Sequence, residues 1–270
     1  MRIALLQYPV LWANREENLR LTCARIREIA GQADLALLPE MFTTGFCTDQ
    51  PELAEPTDGE TIQTLRRMAD ECNIAIVGSF ICKEKKGKEE RLYNRGFFIR
   101  PFETPDFIDK RHLYAHGGED RFFTAGHSRQ VVEYMGVKFR LLICYDLRFP
   151  IWARQEKDNM YDVLLVCANW PEVRIGYWDA LIAARATENQ CYIAAVNILG
   201  EDAMDLHYNG HSIAYDSYLN PIVSFEDDEM GTKIATFDID HLHHFREVLP
   251  LWKDGDEFQI KLKGERIPPR

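Results

Sequence analysis

The chain has 270 residues, 46% of them hydrophobic and 28% charged, with a net charge of -11. This is the composition of a folded globular protein with ample core, and the acidic excess argues against a nucleic-acid surface. No run approaches the roughly 18 apolar residues of a membrane-spanning helix, and MRIALLQYPVLWANREEN at the start lacks the apolar length and cleavage site of a signal peptide. Seven cysteines (Cys23, Cys47, Cys72, Cys82, Cys144, Cys167, Cys191) are odd in number and never in CxxC spacing. That spacing excludes a disulfide framework and a zinc ribbon, and predicts a reducing, cytoplasmic setting.

In chain order, residues 3–8 predict a buried strand. Asn14 followed by Glu17 marks a capped helix start, and Leu19, Cys23, Ile26 and Ile29 recur at helical spacing up to Gly31. Residues 35–38 predict a second strand, ended by Pro39, which leaves Glu40 at its end before a polar loop over 41–58. A helix over 59–73 leads into a strand over 74–81. The run KEKKGKEE (83–90) alternates both charges around Gly87 and predicts a solvated hairpin tip, from which the chain returns as a strand over 92–100. An extended stretch at 107–109 delivers Lys110. Residues 112–130 then form a long irregular segment, of the kind that is usually functional or mobile.

Residues 131–134 and 137–143 predict a hairpin turning at Met135 and Gly136, whose second arm stops at Cys144. A short helix over 151–155 precedes a strand over 163–168, ended by Asn169, Trp170 and Pro171. A helix over 176–189 and a strand over 192–196 follow. Residues 211–215 and 222–225 predict a hairpin, 233–238 a strand and 239–247 a helix, with a polar tail to Arg270. Strands alternating with helices, several of them joined by hairpins, predict an α/β fold of mixed sheets layered with helices, in one domain over 1–270.

Three residues therefore stand at the ends of strand-like runs: Glu40, Lys110 and Cys144. Their types are those that amide hydrolysis through a thioester requires. A thiol near its ordinary pKa of about 8.5 is mostly protonated at neutral pH and needs a base. A glutamate among apolar walls can take the thiol proton and pass it to departing ammonia. A lysine ammonium, with the backbone N–H of Tyr145 just after the nucleophile, can hold the tetrahedral oxyanion.

The segments carrying these residues are LLPEMFTTGF (37–46), DKRHLYAHGGE (109–119) and LLICYDLRFP (141–150). In this order they resemble the signature segments of the nitrilase superfamily of carbon–nitrogen hydrolases. ANWP (168–171), WDALIAARATENQCYIAAVN (178–197) and PLWKDGDEF (250–258) extend the resemblance over nearly the whole chain. The resemblance implies a four-layer αββα sandwich of the nitrilase type, paired into homodimers. It also implies Glu40 as general base, Lys110 as oxyanion stabiliser, Cys144 as nucleophile and Glu119 as a second glutamate beside the lysine. No metal or organic cofactor is implied.

Within the superfamily, CYDLRFP followed by IWAR is most similar to the ω-amidases, especially a bacterial branch. These hydrolyse the terminal amide of 2-oxoglutaramate and 2-oxosuccinamate. A sibling amidase acting on deaminated glutathione or another carboxylate-bearing amide is the alternative. Such substrates carry a carboxylate that Arg148 could clamp bidentately, or Arg148 could instead pair with Asp146 or another acidic neighbour and brace the turn. Asn169 and Trp170, at a neighbouring strand's end, are expected to line the pocket, and Cys47 to stay clear of it. The scattered histidines come with no matching cysteine–histidine motif. His241, His243 and His244 (HLHHF) lack a carboxylate or cysteine at ligand spacing, which favours a solvated or interface face over a metal site.

Overall fold

The computed structural model describes residues 1–262. Strands β1 (Arg2–Gln7), β2 (Leu35–Leu37), β3 (Glu55–Pro56), β4 (Ala75–Lys86), β5 (Glu89–Ile99) and β6 (Asp106–Asp109) come first. Then follow β7 (Val132–Tyr134), β8 (Val137–Ile143), β9 (Val163–Cys167), β10 (Tyr192–Val196), β11 (Leu199–Glu201) and β12 (His207–Asn209). Last are β13 (Ile213–Tyr215), β14 (Pro221–Ser224) and β15 (Gly231–Thr236). The helices are α1 (Arg15–Glu28), α2 (Glu60–Cys72), α3 (Glu119–Phe122), α4 (Pro150–Ala153), α5 (Ile175–Asn189) and α6 (Ile239–Val248).

One sheet runs β15-β1-β2-β4-β5-β6, with β3 beside β4; a second runs β14-β13-β10-β9-β8-β7. Both are mixed, because helices bridge the parallel pairs β1–β2, β2–β4, β8–β9 and β9–β10 while hairpins close antiparallel ones such as β4–β5 and β7–β8.

The period of two sorts the first sheet's residues between two cores. Ile3, Leu5, Leu35, Leu37 and Val77 point between the sheets, where they join Leu141, Ile143, Leu165 and Ala194. Ala4, Leu6, Ala36 and Ile76 point the other way, onto Leu19, Cys23 and Ile26 of α1 and Ile62 and Leu65 of α2. The second sheet is buried on both faces, so VLLVC and YIAAV read as continuous apolar runs. Trp178, Ile182 and Ala186 of α5 and Leu242 of α6 belong to the core that includes this sheet. Helix, sheet, sheet and helix give the four-layer αββα sandwich that the resemblance implied.

Most elements lie where periodicity puts them. The side chain of Asn14 accepts from the Glu17 N–H at 3.3 Å, and the charged hairpin tip is there, in unbroken register out to Lys86 and Glu89. Two features differ. The β11–β12 hairpin was not predicted, since LGEDAMDLHYN is polar and its arms are three residues each. The segment 112–130 contains the short α3, which starts at Glu119. His241, His243 and His244 are exposed on α6, where His243 Nε2 meets Asp162 Oδ1 at 2.9 Å. Among the described residues no group of three or more His, Cys, Asp or Glu side chains is placed to hold a metal, and no helix is long and apolar enough to cross a membrane. The final residues of the polar tail lie outside the described chain.

The sheets pack tightly against each other at Gly96 in β5. A Cβ there would lie 2.7 Å from Leu141 Cδ2, 2.9 Å from the Ile108 carbonyl oxygen and 3.1 Å from Ile143 Cδ1. Leu141 and Ile143 belong to the strand that ends at Cys144, so this glycine sets the spacing of one sheet against the nucleophile's strand. Gly96→Ala is expected to destabilise the fold by about 1–3 kcal/mol, read as a lower denaturation midpoint at unchanged slope.

Candidate active site

Four strand ends converge. β2 ends at Leu37 and leaves Glu40 three residues on; β6 is followed at once by Lys110, β8 by Cys144, and β9 by Ala168 and Asn169. Glu40 and Lys110 thus come from one sheet, Cys144 and Asn169 from the other. Two of these ends turn through the left-handed region, Met41 at φ 44° and Cys144 at φ 46°. For non-glycine residues such conformations are costly and persist only where the surroundings over-determine them. Cys144 opens a single 3-10 turn, Cys144–Arg148, which presents the thiol beyond the sheet edge.

The side chains of Lys110, Glu40 and Glu119 are wholly buried. Lys110 Nζ lies 2.8 Å from Glu40 Oε1, and 3.1 and 2.9 Å from the two oxygens of Glu119. Glu40 Oε2 accepts from the Asn169 backbone N–H at 2.9 Å, while Asn169 Nδ2 donates to the Glu40 carbonyl oxygen at 2.7 Å. These bonds join the two sheets directly at the site. Asn94, within β5, donates from Nδ2 to Glu40 Oε1 at 2.8 Å and to Glu119 Oε1 at 3.0 Å. Gly126 donates to the Lys110 carbonyl at 2.8 Å and sits so close to Asp109 that a Cβ would overlap its carbonyl oxygen.

The electrostatics follow from this burial. Desolvation works to lower the Lys110 pKa, but Glu119 and Glu40 outweigh it and hold the ammonium well above its ordinary value. Desolvation, helped by the Glu40 charge, raises Glu119 despite the opposing pull of Lys110. Burial and the nearby Glu40 carboxylate push the Cys144 thiol well up, Lys110 offsetting them only in part. Two buried carboxylates against one ammonium leave an excess negative charge, and a thiolate would add another. The resting nucleophile is therefore a thiol, with Sγ directed at the Asn169 carbonyl oxygen at 3.7 Å.

Cys144, 9% exposed, opens on a cavity of about 210 Å³. Tyr114, Tyr145, Arg148, Trp170, Arg174 and Tyr208 contribute to its wall. Arg148 lies over the rings of Trp170 and Tyr177, at 4.8 and 5.0 Å. It does not brace Asp146, whose Oδ1 accepts from both the backbone N–H and Nδ1 of His112 at 2.8 Å. Asn169 lines the cavity, but its amide is engaged by Glu40. The Trp170 indole N–H is bonded to the Arg174 carbonyl oxygen at 2.8 Å. The Tyr145 ring packs between Tyr114 and Phe149, at 5.1 and 5.3 Å. Cys47 turns away and bonds the Thr44 carbonyl oxygen, while its neighbour Phe46 faces the cavity. Residues 112–119 are tied down: Tyr114 N–H donates to Glu119 Oε2 at 2.6 Å and the Thr48 hydroxyl to the Gly117 carbonyl oxygen at 3.0 Å.

Sequence reasoning missed Asn94, Tyr114, Arg174 and Tyr208. Only Asn94 left a signal, as an uncharged polar residue inside a strand bound for the core (YNRGFF). The others reach the cavity from segments far apart in the chain.

The carbon–nitrogen hydrolase family model matches residues 2–247. The chain belongs to the carbon–nitrogen hydrolase family, and is an amidohydrolase. It is 37% identical to omega-amidase YafV of Escherichia coli K12 over 264 residues, covering 96% of this chain and 98% of that one. It is 31% identical to the 2-oxoglutaramate amidase of Bacillus subtilis over 258 residues, 93% and 96% of the two chains. Among solved structures, XC1258 from Xanthomonas campestris, a CN-hydrolase superfamily protein with an arsenic adduct in its active site, superposes with a TM-score of 0.92. The identity is 35%, over 97% of this chain and 99% of that one.

Because its pKa is raised, the Cys144 thiol should deprotonate later than a free cysteine as pH increases. Alkylation by iodoacetamide, followed by mass spectrometry at Cys144, is expected to keep accelerating past pH 9 without a plateau. In Glu40→Gln, which removes the neighbouring negative charge, the rise should shift to lower pH. Amide turnover in the same variant should fall by about 10²–10⁴-fold.

Proposed function

We propose that the protein is an ω-amidase, hydrolysing the terminal amide of small 2-oxo-acid amides such as 2-oxoglutaramate and 2-oxosuccinamate to the dicarboxylate and ammonia. The observation that carries this is a buried Glu40–Lys110–Cys144 cluster behind a cavity whose wall bears Arg148 within one turn of the nucleophile. The full-length similarity to proteins named omega-amidase and 2-oxoglutaramate amidase supports it.

In the proposed cycle, Glu40 takes the Cys144 proton as sulfur attacks the amide carbon. Lys110, with two of its three N–H groups committed to Glu40 and Glu119, turns the third toward the oxyanion, joined by the Tyr145 backbone N–H. Glu40 passes its proton to the leaving nitrogen, the C–N bond breaks, and ammonia departs from a thioester. Glu40 then deprotonates water, which attacks the thioester carbon; the proton returns to sulfur and the carboxylate product leaves. Glu119 holds the ammonium in place. Every proton moved has a named donor and acceptor, so the cycle draws on no metal or organic cofactor.

Arg148 would anchor the substrate carboxylate, which is worth about 1.5–3 kcal/mol for a hydrogen bond to a charged group. Arg148→Met is thus expected to raise KM for 2-oxoglutaramate by about 10- to 100-fold with kcat changed far less. Ammonia release should be assayed from 2-oxoglutaramate, deaminated glutathione and a simple nitrile. Turnover of 2-oxoglutaramate alone, abolished in Cys144→Ala, is the expected result. A preference for deaminated glutathione would keep the chemistry and replace the substrate, and activity surviving in Cys144→Ala would overturn the mechanism.

We also propose a cytoplasmic, single-domain chain that pairs into a homodimer. Light scattering on the eluting peak should return twice the chain mass of 31.4 kDa.

A further inference from the structure

Two arginines, Arg148 and Arg174, line the cavity above Cys144. Arg174 ends the short turn Glu172–Arg174 and stands directly before α5. Its guanidinium lies 5.7 Å from the centre of the Tyr114 ring, and its carbonyl oxygen holds the indole N–H of Trp170. Arg148 lies over that same indole. Trp170 thus carries the Arg148 guanidinium on its face and fixes the Arg174 backbone at its N–H, while the Arg174 guanidinium lies toward Tyr114.

Neither guanidinium has a carboxylate within ion-pair distance among the described residues, and both rest against aromatic rings. Among the described residues no Asp or Glu lines the cavity, although the chain carries 43 acidic residues against 32 Lys and Arg. Two like charges in one small cavity repel, and an anion lying between them removes that repulsion. One bidentate arginine takes one lone pair on each carboxylate oxygen. A 2-oxo acid offers more: beside its carboxylate stands a ketone oxygen with two further lone pairs, in reach of a second planar fork.

We infer that Arg174 is a specificity-determining residue that holds, jointly with Arg148, the 2-oxo-carboxylate end of the substrate. The site thereby prefers 2-oxo-acid amides to the same amides without the ketone. Tyr114 couples this grip to the chemistry, because the backbone N–H of the residue whose ring meets Arg174 is bonded to Glu119, which in turn holds Lys110. This inference rests on the ω-amidase reading.

The test compares 2-oxoglutaramate with glutaramate, which has the same amide and carboxylate and lacks only the ketone. In Arg174→Met the preference for 2-oxoglutaramate in kcat/KM should fall about 10-fold or more, the loss appearing in KM. In Arg148→Met both substrates should suffer. Calorimetry in the Cys144→Ala background should show 2-oxoglutaramate binding weakened about 10- to 100-fold by Arg174→Met. The double variant should lose less than the product of the two single losses, because one anion is shared. Equal losses on both substrates, unaltered binding, or fully multiplicative losses would overturn the inference while leaving the ω-amidase reading intact. A wild-type protein inert toward 2-oxoglutaramate would overturn both.

Discussion

The ammonium of Lys110 is the constraint on which the rest of the site depends. It has no exposed surface, and an isolated charge at such depth is prohibitively costly. It persists because Glu40 and Glu119 both contact it and because Asn94 and Asn169 bond those carboxylates in turn. Removing one member would leave the others buried and unmatched. The arrangement is also unbalanced, with two carboxylates to one cation, and that imbalance favours the protonated form of Cys144.

Such a cluster requires backbone held within tenths of an ångström, and the fold supplies this from several directions. Asp146 receives two hydrogen bonds from His112 and so joins the nucleophile's turn to the chain just past Lys110. Asn169 donates two bonds to Glu40 across the two sheets, from its backbone N–H and its Nδ2. Gly126 fits against Asp109 where no larger residue could. The positive φ of Met41 and of Cys144 is the local cost of presenting both side chains off strand ends. The chemistry is thus a property of the contact between the sheets more than of either sheet alone.

The acidity of the whole chain has no bearing on what the cavity admits. Field at a binding site comes from the few charges that face it across little water, and here these are Arg148 and Arg174. Glu40 and Glu119 lie behind the cavity wall with their charge engaged by Lys110, so the surface offered to a substrate is cationic and aromatic while its floor is anionic and neutralised. That separation is what the proposed cycle requires, an anion held at the surface and a carboxylate base beneath it.

Much of this was legible in the chain. Apolar runs that stop abruptly located the strands, and Glu40, Lys110 and Cys144 declared themselves by standing where those runs end. A strand buried on both faces permits few polar residues, so its boundary is sharp even in a single sequence. The β11–β12 hairpin left no such mark, because short polar arms carry no periodicity. Whether Arg148 served the turn or the cavity was equally open, since Asp146 lies two residues away in sequence; the fold gave Asp146 to His112 and left Arg148 facing the ligand space. Asn94 was visible as a polar residue in a core strand, but its partners, like the places of Tyr114 and Arg174, were not. Their meaning comes from contacts across 25 to 60 positions of chain, and such contacts exist only once the two sheets have closed on one another.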